Sequence, residues 1–493
     1  MFLTVDLPPG VVRTGTEYKS RGRFYDCNLW RWWGGTQQPV GGWKRYSQTA
    51  VDGAPRAMLS WADDTNGCWA AIGTHTGLWV MSRSGAVHSV LPASPSPPFS
   101  AGRVDGSGGA GYGALAYNTG LYGKPRPSAF DIIPASVWSL DNWGRMLVGV
   151  MGEDGRIWQW DPNTPTASAV TVGAPKAKAL VVTGERIMMA LGAEDDPRRI
   201  DTSDQGDNTV WTETATNYVT TFNLPTAGKI VTARRVNGGT LIFTDVDVWL
   251  ASFVGQPLVY GYEKRGSGCG AISPGGVAVT DAGAFWMGGN GFWSYNGFTA
   301  PLVCDVQDYV FSGINPLQVS KVTAVHNSAF GEVWWFYCSA SAKENDRYVV
   351  YNYREKHWSI GALGRLSGTD RGVFANPMMM GSDNYVYGHE IGFDHGGLAP
   401  YATTGPFELA SGDQLMQVQR IVPDAQTLGA VGVSFTARDY PASGAIVKGP
   451  YALSGKTDVR FTARSVEMTL TGADNSDFRV GSFRLDSRTM GGR

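Results

Sequence analysis

The sequence predicts an all-β protein: a β-propeller of about seven to eight blades with an N-terminal arm and a C-terminal β-sandwich-like domain. Three observations lead to this fold class. The 493-residue chain contains 65 Gly, 18 Trp, 20 Tyr and 20 Phe, a composition that favours short strands joined by tight turns. Apolar residues at helical spacing are hard to find over long windows. An aromatic hairpin also recurs along the chain.

The clearest hairpin lies between Asp281 and Gly297. Two aromatic runs, Ala284–Met287 and Phe292–Tyr295, flank Gly288-Gly-Asn-Gly291, whose residues tolerate the positive φ angles of a tight turn. Each arm has about four residues, which is too short to be stable alone in water. We therefore expect the hairpin to pack against similar units.

Similar units are marked by aromatic residues that follow turns. The markers are Trp79, Trp158, Trp249, Trp293, Trp335 and Tyr387. The last three intervals are roughly 40 to 50 residues, the length of a propeller blade, and the first two are near twice that length. Glu332–Tyr337 and Arg347–Tyr353, apolar on both faces, are predicted to be an antiparallel pair in the centre of one blade.

The chain is predicted to have three parts. Residues 1–50 are an aromatic arm, residues 51–400 the propeller, and residues 401–493 a C-terminal β domain with alternating strands. Pro92–Pro98 and Gly106–Gly113 are expected to be loops at a rim. The C-terminal strands are predicted at Leu415–Ile421, Val431–Ala437, Val459–Ala463, Val466–Leu470 and Phe478–Leu485.

The N-terminal arm carries the densest aromatic cluster. In a strand, Trp30 and Trp32 share one face, and Arg31 and Trp33 share the other, so both faces require cover. One interpretation is a stacking surface for single-stranded nucleic acid. The favoured one is an arm packed on the main body or on a neighbouring subunit, because Asp26 and the scarcity of lysine give no electrostatic funnel. These four residues are candidate subunit-interface residues.

Charge and cysteine usage exclude several classes of protein. The net charge is −2, so no overall basic field drives nonspecific binding to DNA or membranes. The five cysteines form no CxxC pair, which argues against a disulfide framework and a zinc site; we expect them buried and reduced. They are Cys27, Cys68, Cys269, Cys304 and Cys338. Without an apolar leader or a run of 18 apolar residues, we expect no export and no membrane insertion.

Carboxylate clusters are candidates for glycoside hydrolysis, which uses paired acids. They are Asp63-Asp64, Glu194-Asp-Asp196, and Asp245 with Asp247. Solvated edges and turns are the favoured interpretation for all of them. The chain also lacks a Gly-x-Ser-x-Gly elbow, a Walker lysine and a His-Glu-x-x-His motif. The sequence therefore predicts no catalytic residues and no cofactor.

One group of residues has the chemistry of metal ligands. His389 and His395 flank Glu390 and Asp394, and imidazole and carboxylate both suit divalent ions. A spacing of six on a glycine-rich loop fixes no geometry, so no metal site is predicted, and the question of metal binding at His389 and His395 is left open.

Motifs along nearly the whole chain resemble the tail nozzle or tail hub proteins of short-tailed double-stranded DNA bacteriophages. The motifs are structural in character. They are Gly22–Asp26 with Pro39–Trp43, Gly268–Pro274, Ala284–Gly288 with Gly291–Tyr295, Asp308–Phe311 with Ile314-Asn315, Glu332–Tyr337, Glu344–Asn352, His357–Gly361, and Phe483–Asp486 with Gly491–Arg493.

The resemblance implies a structural virion protein of the tail, assembled in the host cytoplasm. Its subunits form a homo-oligomeric ring, commonly a hexamer, below the adaptor next to the portal, and they contact tail fibre or spike proteins. The genomic double-stranded DNA passes through the channel without sequence-specific binding. Arg484 and Arg488, near the C-terminus, are expected to meet carboxylates of a neighbouring subunit rather than phosphate.

Two other functions stay open at this point. A receptor-binding or glycan-degrading tail protein would use the same propeller with a pocket at its centre. A cytoplasmic protein-binding propeller scaffold would be monomeric and absent from virus particles. A measurable activity on capsular or lipopolysaccharide sugar would favour the first alternative over the leading hypothesis, which predicts that the chain is not an enzyme.

Overall fold

The computed structural model describes residues 2–92, 97–109, 131–164, 168–408, 413–453 and 455–490. Within these residues, seven four-stranded antiparallel sheets follow one another as the blades of a β-propeller. The predicted rim loops Pro92–Pro98 and Gly106–Gly113 lie partly outside the described residues, at 93–96 and 110–113.

Each blade is an antiparallel meander numbered here in chain order. Blade 1 has the strands Pro55–Ala62, Cys68–Thr74, Leu78–Ser82 and Val87–Ser89, and blade 2 has Trp138–Trp143, Met146–Met151, Ile157–Trp160 and Ala169–Val170. Blade 3 has Ala179–Val182, Met188–Leu191, Arg199–Thr202 and Thr221–Asn223. Blade 4 has Ile230–Val236, Gly239–Thr244, Asp247–Gly255 and Val259–Ser267. Blade 5 has Val277–Thr280, Gly283–Met287, Phe292–Tyr295 and Thr299–Leu302; blade 6 has Thr323–Asn327, Glu332–Tyr337, Arg347–Asn352 and His357–Ala362; blade 7 has Arg365–Thr369, Met378–Gly381, Val386–His389 and Trp43–Arg45.

The N-terminal segment closes the propeller. Trp43–Arg45 is the outer strand of blade 7 and pairs antiparallel with Val386–His389. The first strands of consecutive blades contact one another, and the first strand of blade 7 contacts that of blade 1. The blades therefore form a closed circle, which removes the exposed edges of an open array.

The hydrophobic core is divided among the contacts between blades. Among the described residues, each of the seven pairs of neighbouring blades shares one cluster of buried apolar side chains. Between blades 4 and 5, for example, the rings of Phe243 and Trp286 lie 5.1 Å apart, and both are fully buried. Burial of one such side chain contributes about 1.5–3 kcal/mol. The short hairpins are thus stabilised by their neighbours, as the sequence predicts.

The predicted hairpins and markers agree with the blades, with two corrections. Met287 pairs with Phe292, so the central hairpin is confirmed. Five of the six aromatic markers lie on third strands, but Trp335 lies on the second strand of blade 6. Blade 3 carries no aromatic residue on its third strand, Arg199–Thr202, and was therefore not marked. The long interval after Trp79 reflects the connection between blades 1 and 2 rather than a missing blade.

The remaining strands build a β-sandwich of two antiparallel sheets. One sheet has the order Phe2–Val5, Phe483–Met490, Leu415–Pro423, Thr457–Ala463. The other has the order Phe24–Asn28, Tyr401–Thr404, Ser465–Gly472, Val431–Arg438, Ile446–Ala452, with Phe407–Glu408 beside Ser465–Gly472. The predicted C-terminal strands are present with shifted ends, and Ile446–Ala452 was missed. Residues 1–50 supply one strand to each sheet as well as the outer strand of blade 7.

The arm joins the sandwich to blade 6. Trp30 packs on Phe478 of the sandwich at 4.8 Å between ring centroids, and the amide of Val11 donates to the carbonyl of Trp358 in blade 6 at 2.8 Å. One apolar cluster continues from blades 5 and 6 through the arm into the sandwich. The propeller and the sandwich therefore share a core.

Short elements complete the described part of the chain. Two-stranded pairs join Trp30–Trp33 to Thr36–Pro39 and Ser107–Gly108 to Ile132–Ile133. The helical elements are Glu17–Ser20, Ala193–Asp195, Gln307–Gly313 and Pro316–Lys321. None of the described helices has the length and apolar character that a membrane crossing requires.

Candidate functional site

The first strands of the blades surround an axial cavity of about 310 Å³. Every blade contributes residues to its lining. Central cavities of this kind are common binding sites, because several elements can present polar groups to one point. The residues on the first strands therefore decide what the cavity can bind.

Three arginines line the cavity, and two of them are paired with carboxylates. Arg56 donates from Nη1 and Nη2 to the two oxygens of Glu344 at 2.9 and 2.7 Å. Arg235 donates from Nη2 to Asp141 Oδ1 at 2.9 Å. Burial raises the pKa of Asp141, and the charge of Arg235 opposes that effect. Both carboxylates are thus engaged by arginine.

The third arginine, Arg234, has no carboxylate partner among the described residues. Its Nη1 donates to Thr232 Oγ1 at 2.8 Å and to the carbonyl of Ala233 at 2.9 Å, and its Nη2 donates to the carbonyl of Pro274 at 2.9 Å. Burial lowers the pKa of Arg234, but a guanidinium stays protonated in proteins. The cavity therefore contains a positive charge that no acid neutralises.

Two further polar atoms in the lining lack hydrogen-bond partners within the described residues. They are Nε of Arg56, in blade 1, and Oγ of Ser367, in the adjacent blade 7. Both residues are buried. An unpaired buried polar group costs about 1–3 kcal/mol, so such groups commonly mark a bound water, ion or ligand.

A segment between blades 1 and 2 approaches the cavity beside Arg56. The carbonyl of Val104 accepts from Arg56 Nη2 at 3.0 Å, and Asp105 accepts from Lys321 Nζ at 2.7 Å. This hydrogen bond lowers the pKa of Asp105. The backbone of Gly106 is held by the side-chain amide of Gln318. The described part of this connection is therefore fixed to the residues that precede blade 6.

The predicted interface residues of the arm are largely internal. Trp30, Arg31 and Trp32 are buried by other parts of the same chain, and Trp33 is half-buried against Phe330 at 5.5 Å. Trp30, Arg31 and Trp32 therefore offer no exposed surface to a neighbouring subunit or to nucleic acid, which corrects their assignment to an interface. The structure shows the favoured alternative, an arm packed on the main body.

Arg31 is the centre of a buried ion network. It donates to both oxygens of Glu332 at 2.7 and 2.8 Å and to both oxygens of Glu390 at 2.6 and 3.1 Å. Burial alone would raise the pKa of Glu390, but the charge and hydrogen bonds of Arg31 outweigh it and lower that pKa. The ring of Phe330 stacks 3.7 Å from the guanidinium. This network fixes the arm on blades 6 and 7.

Two arginines near the C-terminus are exposed, so a neighbouring subunit could contact them. Arg484 and Arg488 are exposed on the strand Phe483–Met490 and alternate with the buried residues Phe483 and Leu485. Their assignment to a subunit interface stays a prediction. Arg493 lies outside the described residues.

The carboxylate clusters have structural partners. Asp63 accepts from the amides of Thr65 and Gly67 and from Trp69 Nε1, and these hydrogen bonds, led by that of Trp69, lower its pKa to about 2. A general acid for glycoside hydrolysis needs a raised pKa, so Asp63 does not suit that role. Asp247 is buried rather than solvated, and Lys264 Nζ lies 2.8 Å from its carboxylate.

The two histidines beside Glu390, His389 and His395, make hydrogen bonds and ring contacts in the interior of the fold. Arg365 Nε donates to Nε2 of His389 at 2.8 Å, and Nε2 of His395 lies 2.7 Å from the carbonyl of Val40. Both imidazoles pack on Trp43, each at 5.5 Å between ring centroids. Burial lowers the pKa of His389 well below its usual value. No three His, Cys, Asp or Glu side chains among the described residues are grouped as metal ligands.

All five cysteines are free. Cys27, Cys269 and Cys338 are buried, whereas Cys68 and Cys304 are half-buried, so the expectation of burial holds for three of them. Burial raises the pKa of the Cys269 thiol to about 11 and that of Cys338 to about 12.

The residues of the axial cavity were missed by sequence reasoning. A signal was present, because Arg234 and Arg235 are adjacent charges in the otherwise apolar strand Ile230–Val236. Arg234 and Arg235 line the cavity because they lie on the first strand of blade 4, which is the innermost strand. Five of the six aromatic markers lie on third strands, so the markers do not show which strand of a blade is innermost.

The structure defines a class of protein: a closed seven-bladed propeller, joined by its N-terminal arm to a β-sandwich. No protein-family model and no curated protein matches the chain. Similar solved structures include the Cps50 (Swd1) propeller domain of Myceliophteria thermophila, at 9% identity and a TM-score of 0.39 over 70% of this chain and 99% of that one. Virginiamycin B lyase from Staphylococcus aureus is 7% identical, with a TM-score of 0.40 over 70% of this chain and 97% of that one. The N-terminal domain of Nup159 is 8% identical, with a TM-score of 0.37 over 71% and 96%. Similarity at this level carries no argument about function.

Proposed function

We propose that this protein is a structural subunit of a phage tail nozzle or hub, which forms a ring with copies of itself and acts without turning over a substrate. The resemblance of its motifs to such proteins, over nearly the whole chain, is the first support. The second is the presence of two unlike apolar surfaces on one subunit, and this observation carries the proposal.

The first apolar surface, the blade-4 hairpin end, lies at the tip of the two long strands of blade 4. It exposes Phe253, Val254 and Leu258, the last with 71% of its surface accessible. The connection beyond the last pair, Gly255 with Val259, consists of residues 256–258. Val254 and Leu258 are exposed at the tip of the hairpin, whereas the ring of Phe253 packs on Tyr218 and Tyr260 at 5.9 and 5.7 Å between ring centroids.

The second apolar surface, the sandwich edge strand, is Ile446–Ala452. Among the residues that the structure describes, it pairs on one side only, with Val431–Arg438. Ile446 and Val447 are 59% and 66% exposed. An edge strand with apolar side chains presents unpaired backbone groups and is a common site of association.

Two unlike surfaces on one subunit are what a ring requires. A ring with head-to-tail contacts places one patch of each subunit on a different patch of the next, whereas a two-fold dimer uses the same patch twice. The axial cavity of about 310 Å³ is too small for duplex DNA. In the proposed assembly the genome therefore passes between subunits and not through any one propeller.

Electron microscopy of the purified chain tests the proposal. Class averages are expected to show rings, and mass photometry is expected to show one discrete oligomer. The paired substitutions Val254→Asp and Leu258→Asp are expected to yield monomers, and so is Val447→Asp. Val303→Asp, at an apolar residue that is 88% exposed outside both surfaces, is the matched control and keeps the ring.

A chain that stays monomeric at every concentration would contradict the proposal. That outcome, with absence from purified particles, would favour the protein-binding scaffold. Release of reducing sugar from capsule or lipopolysaccharide would favour the glycan-degrading alternative.

A further inference from the structure

We propose that the axial cavity of the propeller is a binding site for a small oxyanion, a phosphate or a carboxylate, held by Arg234 together with Arg56 and Ser367. This inference goes beyond the proposed function, because it concerns a ligand of the single subunit.

Charge is the first argument. The lining contains three arginines and one aspartate. Asp141 is paired with Arg235, and Arg56 is paired with Glu344, which is not one of the residues that line the cavity. The charge of Arg234 therefore remains. Arg234 is half-buried and feels the charge of Asp141 without forming an ion pair with it, so an anion in hydrogen-bond contact would supply the direct counter-charge that its partly desolvated guanidinium lacks.

Free donors are the second argument. A guanidinium has five N–H groups, and the three hydrogen bonds of Arg234 leave two N–H groups without a partner among the described residues. Four hydrogen bonds of Arg56 leave its buried Nε–H unpaired. Ser367 adds an unpaired hydroxyl. Donors without acceptors fit an oxyanion, whose oxygens only accept.

The cavity also discriminates against cations. Asp141, the acidic residue of the lining, accepts from the amides of Asn142 and Val182 at 2.9 and 2.8 Å in addition to Arg235. Its carboxylate is therefore occupied by three donors. Since a cation would have to displace them, the electrostatics of the site favour an anion.

Size sets the class of ligand. A volume of about 310 Å³ corresponds to roughly ten water molecules at the share each has in the liquid. Inorganic phosphate or a four-carbon dicarboxylate fits in this space, and an oligonucleotide does not. The ligand is therefore a free small anion.

Titration calorimetry with the full-length protein tests the site. Inorganic phosphate and succinate are the two probes, each compared with sodium chloride at matched ionic strength. At least one probe is expected to bind saturably with one site per chain and to raise the midpoint of thermal unfolding. Binding of phosphate alone identifies a phosphate site, and binding of succinate alone identifies a carboxylate site.

Substitutions place the ligand in the cavity. Arg234→Gln removes the unpaired charge and is expected to raise Kd about tenfold or more, because a hydrogen bond to a charged group is worth about 1.5–3 kcal/mol. Ser367→Ala, which removes only a hydroxyl, is expected to raise Kd by a smaller factor and covers the case in which Arg234→Gln does not fold. Arg83→Gln, at an exposed arginine of blade 1, is the matched control and leaves Kd unchanged.

Two results would overturn the inference. One is the absence of saturable binding for both probes at millimolar concentration. The other is binding whose Kd is the same in the wild-type protein and in Ser367→Ala and folded Arg234→Gln, since the anion would then lie elsewhere.

Discussion

Arg31 and Glu332 lie 301 residues apart in the sequence and form a bidentate ion pair in the interior of the protein, with N–O distances of 2.7 and 2.8 Å. The pair connects the N-terminal arm to the second strand of blade 6. Glu390 completes the network from the end of blade 7. One guanidinium therefore links the arm to both blade 6 and blade 7, in addition to the strand pairing of Trp43–Arg45 with Val386–His389.

Replacing Arg31 by Met is expected to destabilise the protein by about 3–5 kcal/mol, because two buried carboxylates lose their counter-charge. Urea unfolding followed by tryptophan fluorescence measures the effect. Arg198→Met is the matched control: its pair with Asp196, at 3.8 Å, is exposed, and the expected loss is at most about 1 kcal/mol. Equal losses in the two variants would show that the network does not hold the arm.

Acidification is expected to destabilise the fold through His357. Burial lowers the pKa of His357 to about 4. The unfolded chain binds a proton near pH 6.5 and the folded chain does not, so the free energy of unfolding falls between about pH 6.5 and pH 4, by about 3 kcal/mol for this group. The lowered pKa of His389 acts in the same direction.

The substitution His357→Gln isolates the contribution of His357. Stability measured at pH 7 and pH 5 is expected to differ less in the variant than in the wild-type protein. His88→Gln is the control: partial burial lowers the pKa of His88 as well, but this histidine is exposed overall, so the variant is expected to keep most of the difference in stability between pH 7 and pH 5. If stability changes between pH 7 and pH 5 by the same amount in His357→Gln as in the wild-type protein, His357 does not cause the loss of stability on acidification.

The close packing of blade 6 against the arm predicts the effect of Gly361→Ala. A Cβ atom at this position meets the hydroxyl of Tyr348 and the amide oxygen of Asn28 below 3 Å. Tyr348 donates to Asn28, and it accepts from the amide of Leu29 at 2.8 Å, so the added methyl group displaces a contact of the arm. The expected cost is about 1–3 kcal/mol.

Thermal unfolding measures this cost. Gly313→Ala is the matched control, because nothing lies within 4 Å of a Cβ added there. If Gly361→Ala and Gly313→Ala unfold at the same midpoint temperature, the residues around Gly361 can accommodate a Cβ atom without a loss of stability.

Thiol labelling is expected to separate the cysteines. Cys68 is half-buried, whereas Cys269 and Cys338 are buried, and burial raises the pKa of these two thiols. In native protein, an aromatic disulfide reagent near pH 8 is expected to modify Cys68 first, because the thiolate is the reactive form and access is required. The fast phase of labelling is expected to disappear in Cys68→Ser and to remain unchanged in Cys269→Ser. A fast phase that survives in Cys68→Ser would assign it to another thiol.

Charge reversal at the C-terminal strand tests the predicted subunit contact. Arg484→Glu combined with Arg488→Glu is expected to weaken the proposed ring about tenfold or more, since like charges at an interface cost several kcal/mol. Mass photometry at low salt measures the dissociation. Arg83→Glu is the control, and an intact ring in the double variant would place these arginines outside the interface.

The blades could be predicted because each carries its own signal. The central hairpin needs only its aromatic arms and the turn Gly288–Gly291, so local sequence determines it. Blade 3 received no marker because its third strand, Arg199–Thr202, carries no aromatic residue. The strand Ile446–Ala452 was hidden by Gly449-Pro450, which reads as a turn.

The site could not be predicted, because it depends on pairings between distant residues. The arm was expected to pack on the main body or on a neighbouring subunit, and the sequence could not decide between the two, since nothing near Arg31 in the sequence supplies the carboxylates, Glu332 and Glu390, that allow its burial. Likewise, the unpaired charge of Arg234 is defined only once Asp141 is known to engage Arg235.

The closure of the last blade also sets the order of events during synthesis. Trp43–Arg45 leaves the ribosome long before Val386–His389, the strand with which it pairs. At 5 to 20 residues per second, the earlier strand waits on the order of 20 to 70 seconds for its partner. During translation this strand therefore stays without its partner, and the propeller can close only after the strands of the other six blades have been made.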